Sequence, residues 1–209
     1  MSAMQIVGRR SSVFTRLTLV FAEELGVAYE LVPIYDMLAL GPDVYADNPA
    51  LKLPILRRGT SSLFGALNIC RALSEQSTHR SGIVWPEDLS DDLSRNAQEL
   101  VWHCKAAQVQ YVMGTVLGKL PADNIFFIKT LNGMRGSLQW LDDHLVEALS
   151  ALPQERLLSM FEGSLFCLIE HLVFRPSVSL EPYPALLRFS QEFGHRASAQ
   201  RTAYTFDVA

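Results

Sequence analysis

Cysteine is scarce in this sequence: Cys70, Cys104 and Cys167 are the only ones, far apart, with no CxxC pair and no metal-ligand spacing. An odd, scattered set excludes a disulfide framework and a dithiol centre, so the three read as reduced, mostly buried thiols of a cytoplasmic protein. Charge is sparse too, at 19% of residues with a net charge of −4, and no dense basic stripe is present that would neutralise phosphates. Nucleic acid is not an expected partner. Long apolar runs are missing: the richest window, Ser164 to Phe174, is interrupted by Glu170 and His171, short of the roughly 18 residues a membrane span needs. The N-terminus sets Arg9, Arg10 and Arg16 among polar residues and lacks the apolar stretch of a signal peptide. A soluble protein without a membrane partner is expected. His171 and His195 have no neighbouring ligand-type residues at metal spacing, so no metal site is expected.

What is present is apolar surface. Hydrophobic residues make up 49% of 209, enough for packed cores in two small domains. Met4 to Gly8 is a short apolar run ending in Gly, a buried strand. Phe14, Leu17, Phe21 and Leu25 recur at helical steps, and Gly26 stands where a helix end wants a left-handed residue. Tyr29 to Pro33 reads as a second strand, stopped by the proline. A short helix is expected within Asp36 to Ala46. Leu53–Arg57 and Ser61–Phe64 flank Arg58-Gly59-Thr60 as a hairpin, and Ile69, Cys70 and Leu73 line one face of a following helix.

The polar stretch from Thr78 to Asp91 marks a connection, giving a first domain over 1–78, a linker over 79–91 and an all-helical domain over 92–209. Leu93, Ala97, Leu100, Cys104, Ala107 and Tyr111 step by threes and fours, and so do Phe127, Leu131, Met134, Leu138, Leu141 and Leu145. They predict two long helices packed as the spine of a bundle. Ser159-x-x-Glu162 ahead of Leu165, Leu168 and Leu172 is a capping box opening a buried helix.

The segment Asn48-Pro49-Ala50-Leu51-Lys52-Leu53-Pro54-Ile55-Leu56 resembles the Asn-Pro-x-x-Lys-Val-Pro-x-Leu stretch of glutathione S-transferases. The order strand, helix, strand, short helix, hairpin, helix is similar to that family's thioredoxin-like N-terminal domain. Trp85-Pro86-Glu87-Asp88 with Arg95 resembles its passage into the helical domain, and the Ser159–Glu162 box resembles that of its buried helix, with Glu where Asp is commoner. The resemblance runs from Met4 to about Arg201. It implies the glutathione S-transferase fold, an α/β thioredoxin-like domain followed by an all-α bundle.

It also implies a site. Pro54 would be a cis-proline, and Leu53 would offer its backbone N–H and C=O to the cysteinyl part of glutathione, with Lys52 beside it. In the serine- and cysteine-type branches the activating residue stands five places before the helix arginine; counted back from Arg16 that is Ser11, with Ser12 the alternative. A hydroxyl near the positive end of a helix can donate to a thiolate, and a serine there is equally an N-cap; the two roles are compatible. The family's Glu-Ser pair, which grips the γ-glutamyl end, is replaced by Gly65-Ala66. Ala66 keeps a backbone N–H for the carboxylate, and Asn68 can replace part of the grip. His103 and Cys104, beside Trp102, either line a substrate pocket or belong to the core. The implied activity is transfer of glutathione to an apolar electrophile by a homodimer. The alternative, favoured by Gly65-Ala66, is a non-catalytic binding or regulatory protein of the same fold.

Overall fold

The computed structural model describes residues 4–208, the side chain of Arg80 excepted. Two compact units result. The chain through Ser81, with the stretch from His195 onward, forms the first, and Gly82–Gly194 forms the second. The sequence pattern carries the helical domain on to residue 209; the contacts instead group the last helical turn and the tail with the first unit.

In the first unit β1 (Met4–Gly8), α1 (Val13–Glu24) and β2 (Tyr29–Pro33) form a parallel β-α-β unit, and β3 (Ile55–Arg58) and β4 (Ser61–Phe64) add an antiparallel hairpin. The sheet order is β2-β1-β3-β4. Strand β3 begins at Ile55 rather than at Leu53, because Pro54 has no N–H to give the ladder. The helix expected within 36–46 is a single 3₁₀ turn, Pro42–Tyr45. Helices α1 and α2 (Ala66–Glu75) pack on each other, with Val20, Phe21, Ile69 and Leu73 fully buried.

In the second unit β5 (Ile83–Val84) pairs in parallel with β6 (Leu158–Ser159). Helices α3 (Asp92–Tyr111), α4 (Ile125–Ser150), α5 (Met160–Phe174) and α6 (Pro184–Gly194) make the bundle, with α7 (Ala197–Arg201) in the first unit. A π-helical segment, Val112–Leu117, continues α3. α3 packs on α4, whose buried residues Phe127, Met134, Leu138, Leu141 and Leu145 are those expected. The buried stripe of α3 is turned from the expected one and runs Ser94, Ala97, Gln98, Val101, Cys104, Lys105, Gln108. It is partly polar, and Gln108 accounts for part of that by donating to the Arg175 carbonyl at 2.8 Å. All three cysteines are free and buried, and among the described residues no helix is long and apolar enough to cross a membrane.

Candidate functional site

The register of the first sheet decides which segments meet. Val7 pairs with Ile55, and Ile55 with Phe64. The turn after β1, the loop before β3 and the turn after β4 therefore leave the sheet at one end. Ser11 and Ser12 lie in the first, Lys52, Leu53 and Pro54 in the second, and Gly65, Ala66 and Asn68 in the third. Five residues of this end, Val7, Ile34, Tyr45, Ala46 and Ile55, form a buried apolar cluster, with Leu53 and Phe64 packed half-buried on it.

Each segment is held by its own local bonds. In the first, the Ser12 N–H donates to the Arg9 carbonyl at 3.1 Å, closing a turn. Gly8 lets the first turn of α1 come close: a Cβ on it would meet Thr15 Oγ1 at 2.5 Å. Ser12 is the N-cap of α1, its Oγ accepting from the Thr15 N–H at 3.2 Å. Ser12 is half-buried, whereas Ser11 is only 8% exposed. Arg16, 2% exposed, is tied down from the chain's far end: it donates to the Ala199 carbonyl at 3.2 Å and stacks 4.3 Å from the Tyr204 ring. From the same tail Asp207 accepts from the Arg10 N–H at 2.9 Å and sits 3.7 Å from Arg9 Nε. Arg9 in turn donates to the Tyr35 carbonyl at 3.1 Å.

In the second segment the buried Asn48 is the organiser. Its Nδ2 donates to the Lys52 carbonyl at 2.7 Å and its Oδ1 accepts from the Ala50 N–H at 3.0 Å. Two left-handed non-glycine residues, Ala46 and Asp47, precede Asn48, a third, Leu51, lies in the loop it closes, and the chain then runs into a cis Leu53–Pro54 bond, as the resemblance implies. Leu53 lies outside the β3 ladder, and Lys52 is exposed. Tyr45 closes the wall beneath by donating to the Met37 carbonyl at 3.0 Å; burial and the nearby Asp36 carboxylate hold its phenol above the usual range.

In the third segment Gly65 is the N-cap of α2 at φ +88° with no side-chain cap. Asn68 is exposed and donates from Nδ2 to the Phe64 carbonyl at 3.1 Å, so its amide already bridges the turn. Neither α1 nor α2 carries an acid in its first turn. Two helix N-termini whose own first turns hold no acid, at the same end of one sheet, favour anionic ligand groups, the Asp207 carboxylate near the first being engaged by Arg9 and the Arg10 N–H.

Sequence comparison is decisive for the first unit: residues 11–76 match the family model described as glutathione S-transferase, N-terminal domain. Residues 11–76 thus form a domain of the glutathione S-transferase N-terminal type. No curated protein matches the sequence. Solved structures extend the likeness in fold to the whole chain. A glutathione S-transferase from Methylobacillus flagellatus KT, with glutathione bound, has a TM-score of 0.77 at 22% identity over 97% of this chain and 100% of its own. A glutathione transferase family member from Pseudomonas fluorescens Pf-5, with S-(propanoic acid)-glutathione bound, has 0.75 at 18% over 97% and 100%. A glutathione S-transferase from Sinorhizobium meliloti 1021 has 0.73 at 17% over 96% and 92%. The architecture is thus the glutathione S-transferase fold, a thioredoxin-like domain with a mixed sheet and a helical remainder. Sequence reasoning left out Arg9, Tyr204 and Asp207 from the neighbourhood of the site. The Arg10–Asp207 bond spans 197 positions, and no local spacing announces a contact of that range.

Proposed function

We propose that the protein binds glutathione at this end of the first sheet and holds its sulfur as a thiolate for attack on an apolar electrophile. The observation that carries the reading is the Val7–Ile55–Phe64 register, which collects the serine turn, the Leu53 edge and the bare N-terminus of α2 in one place. Leu53 would pair its backbone with the cysteinyl unit as an added strand does, and the Ala66 N–H at the start of α2 would face the γ-glutamyl carboxylate. The neighbours crystallised with glutathione and a glutathione thioether support this choice of ligand.

Ser12 suits the thiolate better than Ser11. Its Oγ accepts from Thr15, which leaves the hydroxyl hydrogen to donate outward, and it is less buried than Ser11. A donor and a helix dipole at the sulfur lower the thiol pKa, raising the fraction of nucleophile near neutral pH. The sulfur then forms a bond to an electrophilic carbon, and the displaced pair leaves with a leaving group or enters a conjugated system. The family reading carries a cytoplasmic homodimer with it.

Thiolate absorbance of bound glutathione tests the assignment. Ser12→Ala should raise the apparent thiol pKa and Ser11→Ala should move it less. If only Ser11→Ala moves it, the register counted from Arg16 is right; if neither does, serine activation fails. A second reading, a binding or regulatory protein, draws on Gly65-Ala66, which brings no carboxylate and no hydroxyl to the γ-glutamyl end.

A further inference from the structure

Strand β2 is an outer strand of the first sheet, paired with β1 and with no other strand among the described residues. The Ile34 N–H donates to the Gly8 carbonyl at 3.0 Å, and along a strand the backbone groups of successive residues point to alternate sides. Glu30, Val32 and Ile34 therefore face β1, while Tyr29, Leu31 and Pro33 face away from it. Pro33 has no N–H to offer, but the N–H and C=O of Tyr29 and Leu31 take no hydrogen bond from another described residue. Such a row is a template for an added strand. Beside it lies an open groove of about 560 Å³, lined by Tyr29 and Leu31 with the end of α1, the turn after it, Arg10 and Arg201, all of the first unit. Its one carboxylate is engaged: Glu23 accepts from the Tyr29 hydroxyl at 3.2 Å through one oxygen and from Arg201 Nη1 at 2.9 Å through the other. Burial, then Glu23, pushes the Tyr29 phenol up to about 12, with the nearby Arg10 charge opposing the rise, so the phenol stays neutral. Arg10 is exposed, and its guanidinium has no ion pair among the described residues. The acids around it are engaged elsewhere, Asp207 by the Arg10 N–H and Arg9, and Glu30 by Gln5 on the other face of the sheet. The groove therefore carries a positive charge beside unpaired backbone.

We infer that the β2 edge is a docking site for an extended acidic segment of a partner protein, which adds a strand through the Tyr29 and Leu31 backbone and turns alternate Asp or Glu side chains onto Arg10 and the remaining N–H groups of Arg201. Main-chain pairing supplies the affinity, and the guanidinium forks select carboxylates. A second copy of this chain is the poorer occupant, because the alternating side chains of its own β2 would bring Tyr29, Leu31 and Pro33 to the groove face and no acid. None of the glutathione-site candidates lines the groove, and the inference does not depend on glutathione binding.

The test is fluorescence polarisation of a fluorescein-labelled peptide, Gly-Thr-Val-Glu-Val-Glu-Val-Thr, titrated with the intact protein beside the same peptide with Lys for Glu. The acidic probe should bind saturably and the basic one about tenfold more weakly. Arg10→Glu, a change at an exposed side chain, should weaken the acidic probe about tenfold and tighten the basic one. Leu31→Pro removes an outward N–H and no bond of the β1 ladder, a place where an edge strand accepts proline; with circular dichroism unchanged, it should weaken the acidic probe about tenfold. The inference falls if the acidic probe shows no saturable rise at submillimolar protein, if Arg10→Glu leaves both probes unchanged, or if folded Leu31→Pro binds the acidic probe as the wild type does. It falls equally if light scattering shows that Leu31→Pro splits a dimer into monomers, since a second copy then holds the edge. Should Leu31→Pro misfold, the acidic probe N-methylated throughout its central residues decides: a loss of about tenfold supports strand addition, and undiminished binding overturns it.

Discussion

At the scale of single residues, Gly65 and Asn48 separate what the fold needs from what the ligand needs. Gly65 sits at φ +88°, ψ 135°, a region that costs a side-chain-bearing residue about 1 to 3 kcal/mol. Gly65→Ala should therefore lower the melting temperature, and restoring the family's Glu there would carry the same strain. Ala66 is an ordinary first helical residue, so Ala66→Ser should leave stability within about 0.5 kcal/mol. A new hydroxyl donor at the carboxylate should tighten glutathione about tenfold by calorimetry. Asn48 was visible in the sequence only as part of a motif; its work, two hydrogen bonds that set the path of the chain into Leu53-Pro54, needed the structure. Asn48→Ala should cost about 2 kcal/mol in urea unfolding and weaken glutathione more than Lys52→Ala does, because Lys52 contributes its backbone to that loop.

At the scale of elements, the four strands of the first unit and helices α1, α4 and α5 were legible because their apolar periods are undisturbed and ends such as that of α1, with Gly26 at φ +63°, carry the expected residues; β5, β6, α6 and α7 were not read. The box that opens α5 was legible too, though its third member was not. Ser159 Oγ accepts from the Glu162 N–H at 3.0 Å, Glu162 accepts from the Ser159 N–H at 3.0 Å, and Arg156 grips the same carboxylate through two bonds at 2.9 and 2.7 Å. Burial by itself would push the Glu162 carboxyl up; its bonds to Arg156 and Ser159 override that and hold it below the ordinary range. A depressed acid contributes stability that is complete above its unfolded pKa, about 4.3, and is lost as pH falls through the folded value. Glu162→Gln should cost about 3 kcal/mol at pH 7. In urea unfolding as a function of pH, the gap between wild type and variant should close progressively below about pH 4.3; a gap that stays constant to pH 2 would contradict the pairing. The stripe of α3 was misjudged because Gln98, Lys105 and Gln108 are buried, and periodicity counts only apolar residues.

At the scale of the whole molecule, the sequence motif around Asn48 to Leu56 and the order of elements were enough for the fold, since they are local in the chain. The site was legible only as three separate segments. What joins them is the strand register, a long-range fact, and what braces the serine turn is a tail some two hundred positions away, through Asp207 and Tyr204. The departure at Gly65-Ala66 leaves one question above the others, whether this end of the sheet still holds glutathione. Isothermal titration of the purified protein with glutathione at pH 7 answers it. The account predicts saturable heat at one site per chain with a millimolar or tighter dissociation constant, lost in Asn48→Ala; the absence of saturable heat at millimolar glutathione would contradict it.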